Sequence, residues 1–447
     1  MRIKSLVLAL PFALAACSNA LDVPPTSSIP SETAISNAPG ARAALNGAYA
    51  ALQSSGYYGE TIINFLEVAS DNARASGTLT TFSEASAKKM QSSNAEVTAL
   101  WNAIYRGIDR ANELIQKVPG ITDLSDTERN QILGEAYFLR ALHYHNLVKL
   151  YGGVPLVTEP ATSLAVAAQA TRATPAAVYA QILADIGKSK TLMTKTQTRQ
   201  GSVGAALALE SRVKLYQKDW AGAEAAALAV EGMGYALAPA FGDLFNATGA
   251  TTKEDIFRVI FTPAQFNLVG YYYLTRGLGG RYEAAPTTSI IAAFDPASNG
   301  VIGNYKPTDA RGIWSIKLDG SRTYSPKYPS TIGAEHVHVI RLGEVILIRA
   351  EALAQLNRLP EAVAEYNKLR VRANLAPEPT TGRTQADVLA AIARERRLEL
   401  AFEGDRYPDI QRTGIAAALN IPITQTVLPI PQNEIDTAPG ITQNTGY

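Results

Sequence analysis

Two long stretches of this sequence carry apolar residues at helical spacing, and a region without that spacing separates them. Apolar residues recur every three or four positions from about residue 41 to 237, and again from about 338 to 413. Between about 241 and 330 the sequence is rich in Gly, Pro, Thr and Tyr and has only short β-branched runs. These patterns predict a mainly α-helical protein with an irregular, loop-rich region that contains a few short strands.

Each helical stretch contains a predicted helix-turn-helix hairpin. The first has apolar stripes over 205–216 and 221–232 with a turn at 218–220, and the second has stripes over 342–356 and 362–373 with a turn at 357–360. Alanines at the facing positions let two helices approach closely, as in tetratricopeptide hairpins. Because a long interval separates the two hairpins, we predict a helical scaffold with an insertion rather than a regular solenoid.

The start of the chain is typical of a lipoprotein export signal. Arg2 and Lys4 precede an apolar run too short to span a bilayer, and Leu14-Ala15-Ala16 leads into Cys17, the only cysteine. This pattern predicts a signal peptide over 1–16, lipidation at Cys17 and an extended, proline-bearing tether over 17–40. The alternative is an ordinary signal peptide with a chance cysteine.

Charge and hydropathy argue against a nucleic-acid-binding protein and against membrane-spanning helices after residue 17. The formal net charge is +1 and 18% of residues are charged, so the chain lacks the basic field that holds nucleic acid. Beyond residue 17 no segment is apolar for the length of a membrane-spanning helix.

Several motifs distributed along the chain belong together. They are Trp101 to Asn112, Glu135 to Ala141, Leu150 to Leu156, Arg341 to Val345 with Ala350 to Ala352, Arg394 to Arg406, Leu428 to Pro431 with Glu434, and Gln443 to Tyr447. Through these motifs the chain resembles the SusD/RagB family of outer-membrane glycan-binding lipoproteins.

This resemblance implies a SusD-like fold with tetratricopeptide-like hairpins as its scaffold. We expect helical regions over 41–240 and 336–447 and a ligand-binding insertion over 241–335. Members bind rather than catalyse, so the resemblance implies no enzyme activity and no cofactor. It implies capture of oligosaccharides or polysaccharide fragments at the cell exterior and their delivery to a SusC-like TonB-dependent transporter. Ser18, Asn19 and Ala20 stand where many surface-exposed relatives carry acidic residues, which leaves the membrane leaflet open.

Two groups of side chains have spacings that could suit a chemical site. Glu395, Glu399 and Glu403 are spaced to line one helix face and could serve a glycosidase, but neighbouring arginines favour structural ion pairs. His336 and His338 have the only spacing that suits a metal, and apart from the adjacent Glu335 no carboxylate or cysteine accompanies them closely. We therefore predict neither a catalytic site nor a metal site.

A glycan site needs exposed aromatic rings beside amides, carboxylates or arginines. Such residues concentrate in the irregular segments, and Trp314 is the strongest candidate, whereas Trp101 is assigned to the core. The other candidates are Tyr57, Tyr58, Asn267, Tyr271, Tyr272, Tyr273, Arg276, Arg281, Tyr282, Tyr324 and Tyr328. The same tyrosines would also suit a peptide or another non-glycan nutrient, and an enzyme would need a carboxylate pair among them.

Overall fold

A computed structural model of the chain describes residues 34–160, 168–245 and 250–447. The predicted signal peptide, Cys17 and most of the predicted tether lie outside the described residues. The chain has the predicted mainly α-helical fold with a few short strands.

The first part of the described chain is mainly helical. In order, the elements are α1 (Ala38–Ala50), α2 (Thr61–Ala69), β1 (Ala73–Ala75), α3 (Thr80–Ser86), α4 (Ala95–Lys117) and α5 (Asp126–Tyr151). Asn94 begins α4 by accepting a hydrogen bond from the backbone N–H of Glu96, and Ser125 begins α5 in the same way with Glu128. Residues on all sides of α5 are buried, because α4 and the next helix along the chain cover it.

The first predicted hairpin is present. The helices are α6 (Pro175–Leu192), α7 (Val203–Tyr216) and α8 (Trp220–Glu231). Lys218, with φ at 60°, takes the left-handed conformation that turns the chain between α7 and α8. Asp219 then begins α8 by accepting a hydrogen bond from the N–H of Gly222.

The middle region contains short elements joined by loops. They are β2 (Asp255–Val259), α9 (Val269–Tyr273), β3 (Ala284–Pro286), α10 (Thr288–Phe294), α11 (Ala310–Ser315), β4 (Lys317–Asp319) and β5 (Arg322–Tyr324). β3 pairs antiparallel with β1, and β4 and β5 form a hairpin. The irregular region is thereby tied to the first half of the chain.

The last part of the chain returns to helices after one strand. The elements are β6 (Val337–Arg341), α12 (Leu342–Gln355), α13 (Leu359–Arg372), α14 (Gln385–Glu399), α15 (Arg406–Thr413) and α16 (Gln432–Thr437). The helical stretch predicted from residue 338 therefore starts with a strand, because β6 pairs with β2 in an antiparallel ladder. None of the described helices is both long and apolar enough to cross a bilayer.

The two predicted hairpins are neighbours in space although they are far apart in sequence. Asn357 turns the chain between α12 and α13 with φ at 60°, the same conformation as Lys218. Helix α8 of the first hairpin packs against α12 of the second. The helical scaffold is therefore continuous across the insertion, as the sequence predicts.

A buried ion network joins the insertion to the scaffold. Arg341 contacts Glu254 at 2.9 Å and Glu399 at 2.5 Å, and Arg311 contacts Glu395 at 2.8 Å. Burial alone would raise the pKa of Glu399, but the charges of Arg372, Arg341 and Arg311 outweigh burial and lower it. The predicted ion pairing of these carboxylates is confirmed.

One detail of that prediction is wrong. Glu403 does not continue the helix face of Glu395 and Glu399, because α14 ends at Glu399. Phe402 has φ at 64°, and the turn around it directs Glu403 to Arg341 and Lys327, with contacts of 2.8 and 2.7 Å. Each of the three carboxylates is thus buried and paired with a cation.

Candidate functional site

Several of the predicted ligand residues are exposed or half-buried on neighbouring segments of the irregular region. We call the group Tyr271, Tyr272, Arg276, Arg281, Arg322 and Tyr324 the tyrosine–arginine surface. Each of these side chains is partly or fully exposed. Arg322 was not among the residues predicted from the sequence.

Helix α9 and the chain after it position the first part of this surface. The rings of Tyr271 and Tyr272 lie 6.0 Å apart, and the N–H of Arg281 donates to the backbone oxygen of Tyr271 at 2.7 Å. The guanidinium of Arg281 lies over the ring of Tyr272, 5.7 Å from its centroid. Burial raises the pKa of the Tyr272 hydroxyl to about 12, so this group is a neutral hydrogen-bonding group at neutral pH.

A buried carboxylate fixes Arg281 from below. Glu283, with only 2% of its side chain exposed, accepts a hydrogen bond from Nε of Arg281 at 2.7 Å. The same carboxylate accepts from the backbone N–H groups of Thr78 and Leu79 at 2.8 and 3.0 Å. Glu283 therefore holds the arginine and the loop before α3 in one arrangement.

The β4–β5 hairpin supplies the second part of the surface. The hydroxyl of Tyr282 donates to the backbone oxygen of Thr323 at 3.0 Å, and Arg322 lies over the Tyr282 ring at 5.6 Å. Thr275 donates to Asp319 from the other side of the hairpin. Tyr324 stands opposite Lys317 in the hairpin register. These contacts join the hairpin to the segment that carries Tyr271 and Arg281.

Six other candidates are buried. Tyr57 and Tyr58 contact each other, with ring centroids 4.6 Å apart, and both hydroxyls accept hydrogen bonds from Asn146. Tyr273 packs edge-on against Phe402, and Tyr328 packs against Phe245. Asn267 donates hydrogen bonds to the backbone oxygens of Gly333 and Glu335 and shapes a turn. Tyr282, 9% exposed, lies beneath the tyrosine–arginine surface as its support.

Trp314 lies elsewhere on the irregular region. It is 38% exposed on α11, and its indole ring lies directly on Gly242, where a Cβ atom would not fit. Trp101 is 2% exposed, as predicted for a core residue. An exposed indole remains available at Trp314, but its contact is with Gly242.

Sequence reasoning missed a cavity of about 1020 Å³ along α4. Its lining includes Trp101, Asn102, Tyr105, Arg106 and Glu434. Asn102 and Arg106 are exposed residues one helical turn apart, beside the aromatic pair Trp101 and Tyr105, whose rings lie 4.9 Å apart. In the sequence, only that polar pair could have indicated the cavity, because the opposite wall comes from the far end of the chain.

The histidines take structural positions. His338 contacts Asp255 at 3.0 Å through Nδ1 and the backbone oxygen of Leu244 at 2.9 Å through Nε2, and Nδ1 of His336 accepts from the N–H of Phe261. Within the described ranges, no cluster of three or more His, Cys, Asp or Glu side chains could hold a metal ion.

Comparisons with known proteins agree with the motif pattern. A family model described as "Starch-binding associating with outer membrane" matches residues 20–215, and one described as "SusD family" matches residues 296–426. A SusD-like protein P2 of Formosa agariphila is 28% identical over 92% of this chain and 90% of its own length.

Solved structures match over nearly the whole chain. A protein described as a laminarin-binding SusD-like protein superposes with a TM-score of 0.76 and 26% identity, over 92% of this chain and all of its own (100%). A SusD superfamily protein of Bacteroides vulgatus superposes with a TM-score of 0.79 and 21% identity, over 92% of this chain and 99% of its own, which indicates a shared fold.

Proposed function

Because this chain belongs to the SusD/RagB family, we propose that it captures glycans at the cell surface and delivers them to a TonB-dependent transporter. The family is glycan-binding and associated with the outer membrane. The delivery step, the SusC-like partner and the lipid anchor at Cys17 are part of the proposal.

The observation that carries the proposal is the paired tyrosines beside Arg281. Sugar rings offer apolar C–H faces and a rim of hydroxyls, which exposed tyrosine rings and a fixed guanidinium complement. The ligand site we propose is the tyrosine–arginine surface, with Trp314 as a separate contact. The region 241–335 would then serve as the ligand-binding insertion on the helical regions 41–240 and 336–447.

A binding role also fits the carboxylates. A glycosidase needs two carboxyl groups that face the substrate. The side chains of Glu395 and Glu399 are 0% exposed and that of Glu403 is 6% exposed, and all three are paired with arginines or lysine, so they do not face a bound glycan. We propose that the protein binds its ligand without cleaving it.

Native-gel retardation across a panel of soluble polysaccharides, with product analysis of the same mixtures, tests this function. We expect retardation by at least one glycan and no cleavage products. Retardation by none would contradict glycan capture and favour a peptide cargo, and cleavage would contradict a purely binding role.

A pair of variants tests the site. Tyr271→Ala with Tyr272→Ala should weaken binding by about 2 kcal/mol or more, roughly thirtyfold, because aromatic anchors dominate such interfaces. Tyr137→Ala is the matched control, since Tyr137 is a half-buried tyrosine with Lys188 over its ring, 4.9 Å from the centroid, on the scaffold helix α5. Equal losses in both variants would contradict this site. Co-purification of a TonB-dependent barrel from outer membranes tests the delivery step.

A further inference from the structure

We propose that the ligand of the tyrosine–arginine surface is an acidic glycan, one that carries carboxylate or sulfate groups. This inference rests on the proposed function and narrows the class of ligand. Its basis is the set of exposed cations on this surface that have no carboxylate partner.

Arg276 and Arg322 are exposed, and neither forms an ion pair within the part of the chain that the structure describes. Lys317, on the same hairpin as Arg322, is also exposed and makes no ion pair with any described residue. Arg281 pairs with Glu283 but keeps 40% of its side chain exposed. The surface therefore presents positive charge to a ligand from several directions.

Within the two segments that carry these cations, basic side chains outnumber acidic ones. The segments 271–286 and 317–324 contain four basic side chains and two acidic ones, whereas the whole chain of 447 residues has a formal net charge of only +1. Glu283 is buried and already shared between Arg281 and two backbone N–H groups. Asp319 accepts a hydrogen bond from Thr275 and lies against Gly277. These two segments therefore carry a net positive formal charge.

Several other arginines of this protein are paired with carboxylates. Arg140 pairs with Asp185, Arg212 with Glu344 and Arg412 with Glu351. An exposed arginine that the fold leaves unpaired is available for a ligand, and its planar fork matches a carboxylate or a sulfate with two parallel hydrogen bonds.

The geometry around Arg322 prepares it for such contacts. Its guanidinium lies over the ring of Tyr282, which is held in place by the hydrogen bond to Thr323. Stacking occupies one face of the guanidinium and leaves the N–H groups at its edge free to bind an anion. Tyr271 and Tyr324 supply rings for the apolar faces of the same sugars. A neutral glycan would use the rings but not the charge.

The test compares neutral and acidic polymers on the whole protein purified in mild detergent. The probes are laminarin, which is neutral, polygalacturonate, which carries carboxylates, and carrageenan, which carries sulfates. We expect an acidic polymer to bind at least about tenfold more tightly than laminarin at low salt. In 0.5 M NaCl the acidic polymer should lose most of that advantage, because the salt reduces the electrostatic screening length to about 3 to 5 Å. Preference for one acidic polymer over the other identifies carboxylate or sulfate as the recognised group.

Substitutions separate specific recognition from general charge. Arg276→Ala with Arg322→Ala should abolish the preference for the acidic polymer, while Arg276→Lys with Arg322→Lys should retain part of it. The control is Arg199→Ala, which removes an exposed arginine outside this surface that has no ion pair in the described ranges. A matching loss in that control would show unspecific attraction and overturn the inference.

The outcomes also distinguish this inference from the proposed function. Laminarin binding that equals or exceeds acidic binding, and that ignores salt and the double substitution, would overturn the inference and leave glycan capture standing. Retention of none of the polymers would count against both.

Discussion

Arg140 and Asp185 form a buried, bidentate ion pair whose loss should be far more costly than the loss of an exposed pair. Nε and Nη2 of Arg140 lie 2.8 and 2.7 Å from the carboxylate oxygens of Asp185, and the side chains are 4% and 0% exposed. Arg140→Met removes the cation and leaves a buried carboxylate with Gln181 as its remaining side-chain donor. We expect the free energy of unfolding to fall by about 3–5 kcal/mol.

The chain contains a matched control, an exposed ion pair between α1 and the same helix α5. Arg42 binds Glu128 of α5 in a bidentate pair, at 2.5 and 2.8 Å, but these side chains are 55% and 34% exposed. Arg42→Met should therefore cost less than about 1 kcal/mol, because water screens the exposed pair.

Urea unfolding measures both variants, with the midpoint compared at constant slope. If the uncompensated charge is the cause, adding Asp185→Leu to Arg140→Met should recover most of the loss. The reasoning fails if Arg140→Met costs no more than Arg42→Met, or if the double variant is as unstable as the single one.

Three further predictions concern pH, the indole and the anchor. Burial raises the pKa of Glu67 from 4.5 to about 7, so the folded state favours the protonated carboxyl. The stability that this group contributes is therefore fully present below pH 4.5. We expect the free energy of unfolding to fall by about 3 kcal/mol as the pH rises to about 7. Glu67→Gln should remove that part of the pH dependence of urea unfolding, and an unchanged profile would contradict it. Trp314→Ala should lower glycan affinity by about 2 kcal/mol in titration, whereas unchanged affinity would assign Trp314 to packing on Gly242 alone. Cys17→Ala should move the protein out of the membrane fraction, and an unchanged fraction would refute the lipid anchor.

Helical periodicity was enough to predict the scaffold, since a buried stripe repeats every three or four residues wherever a helix packs on one side. It predicted both hairpins and the ion pairing of Glu395 and Glu399. It did not identify Asp185 as the partner of Arg140, because side chains distant in sequence meet only through the packing of α5 on α6.

Composition could not separate exposed tyrosines from buried ones in the irregular region. Tyr272 and Tyr273 are adjacent in sequence, yet Tyr272 faces Arg281 and Tyr273 packs on Phe402. Which of the two side chains is exposed depends on which side of α9 faces the core. The sequence did not predict the cavity along α4 either, because its walls come from residues far apart in sequence, Trp101 on one side and Glu434 and Ile441 on the other.

The buried ion network has a consequence for how relatives of this protein could diversify. Arg311 fixes the chain just before the β4–β5 hairpin, and Lys327 fixes it just after, through Glu395 and Glu403. The hairpin between these two anchors is therefore free to exchange its outward side chains without disturbing the scaffold. Grafting a foreign hairpin between Ile316 and Ser325 offers a route to retargeting the protein to another cargo.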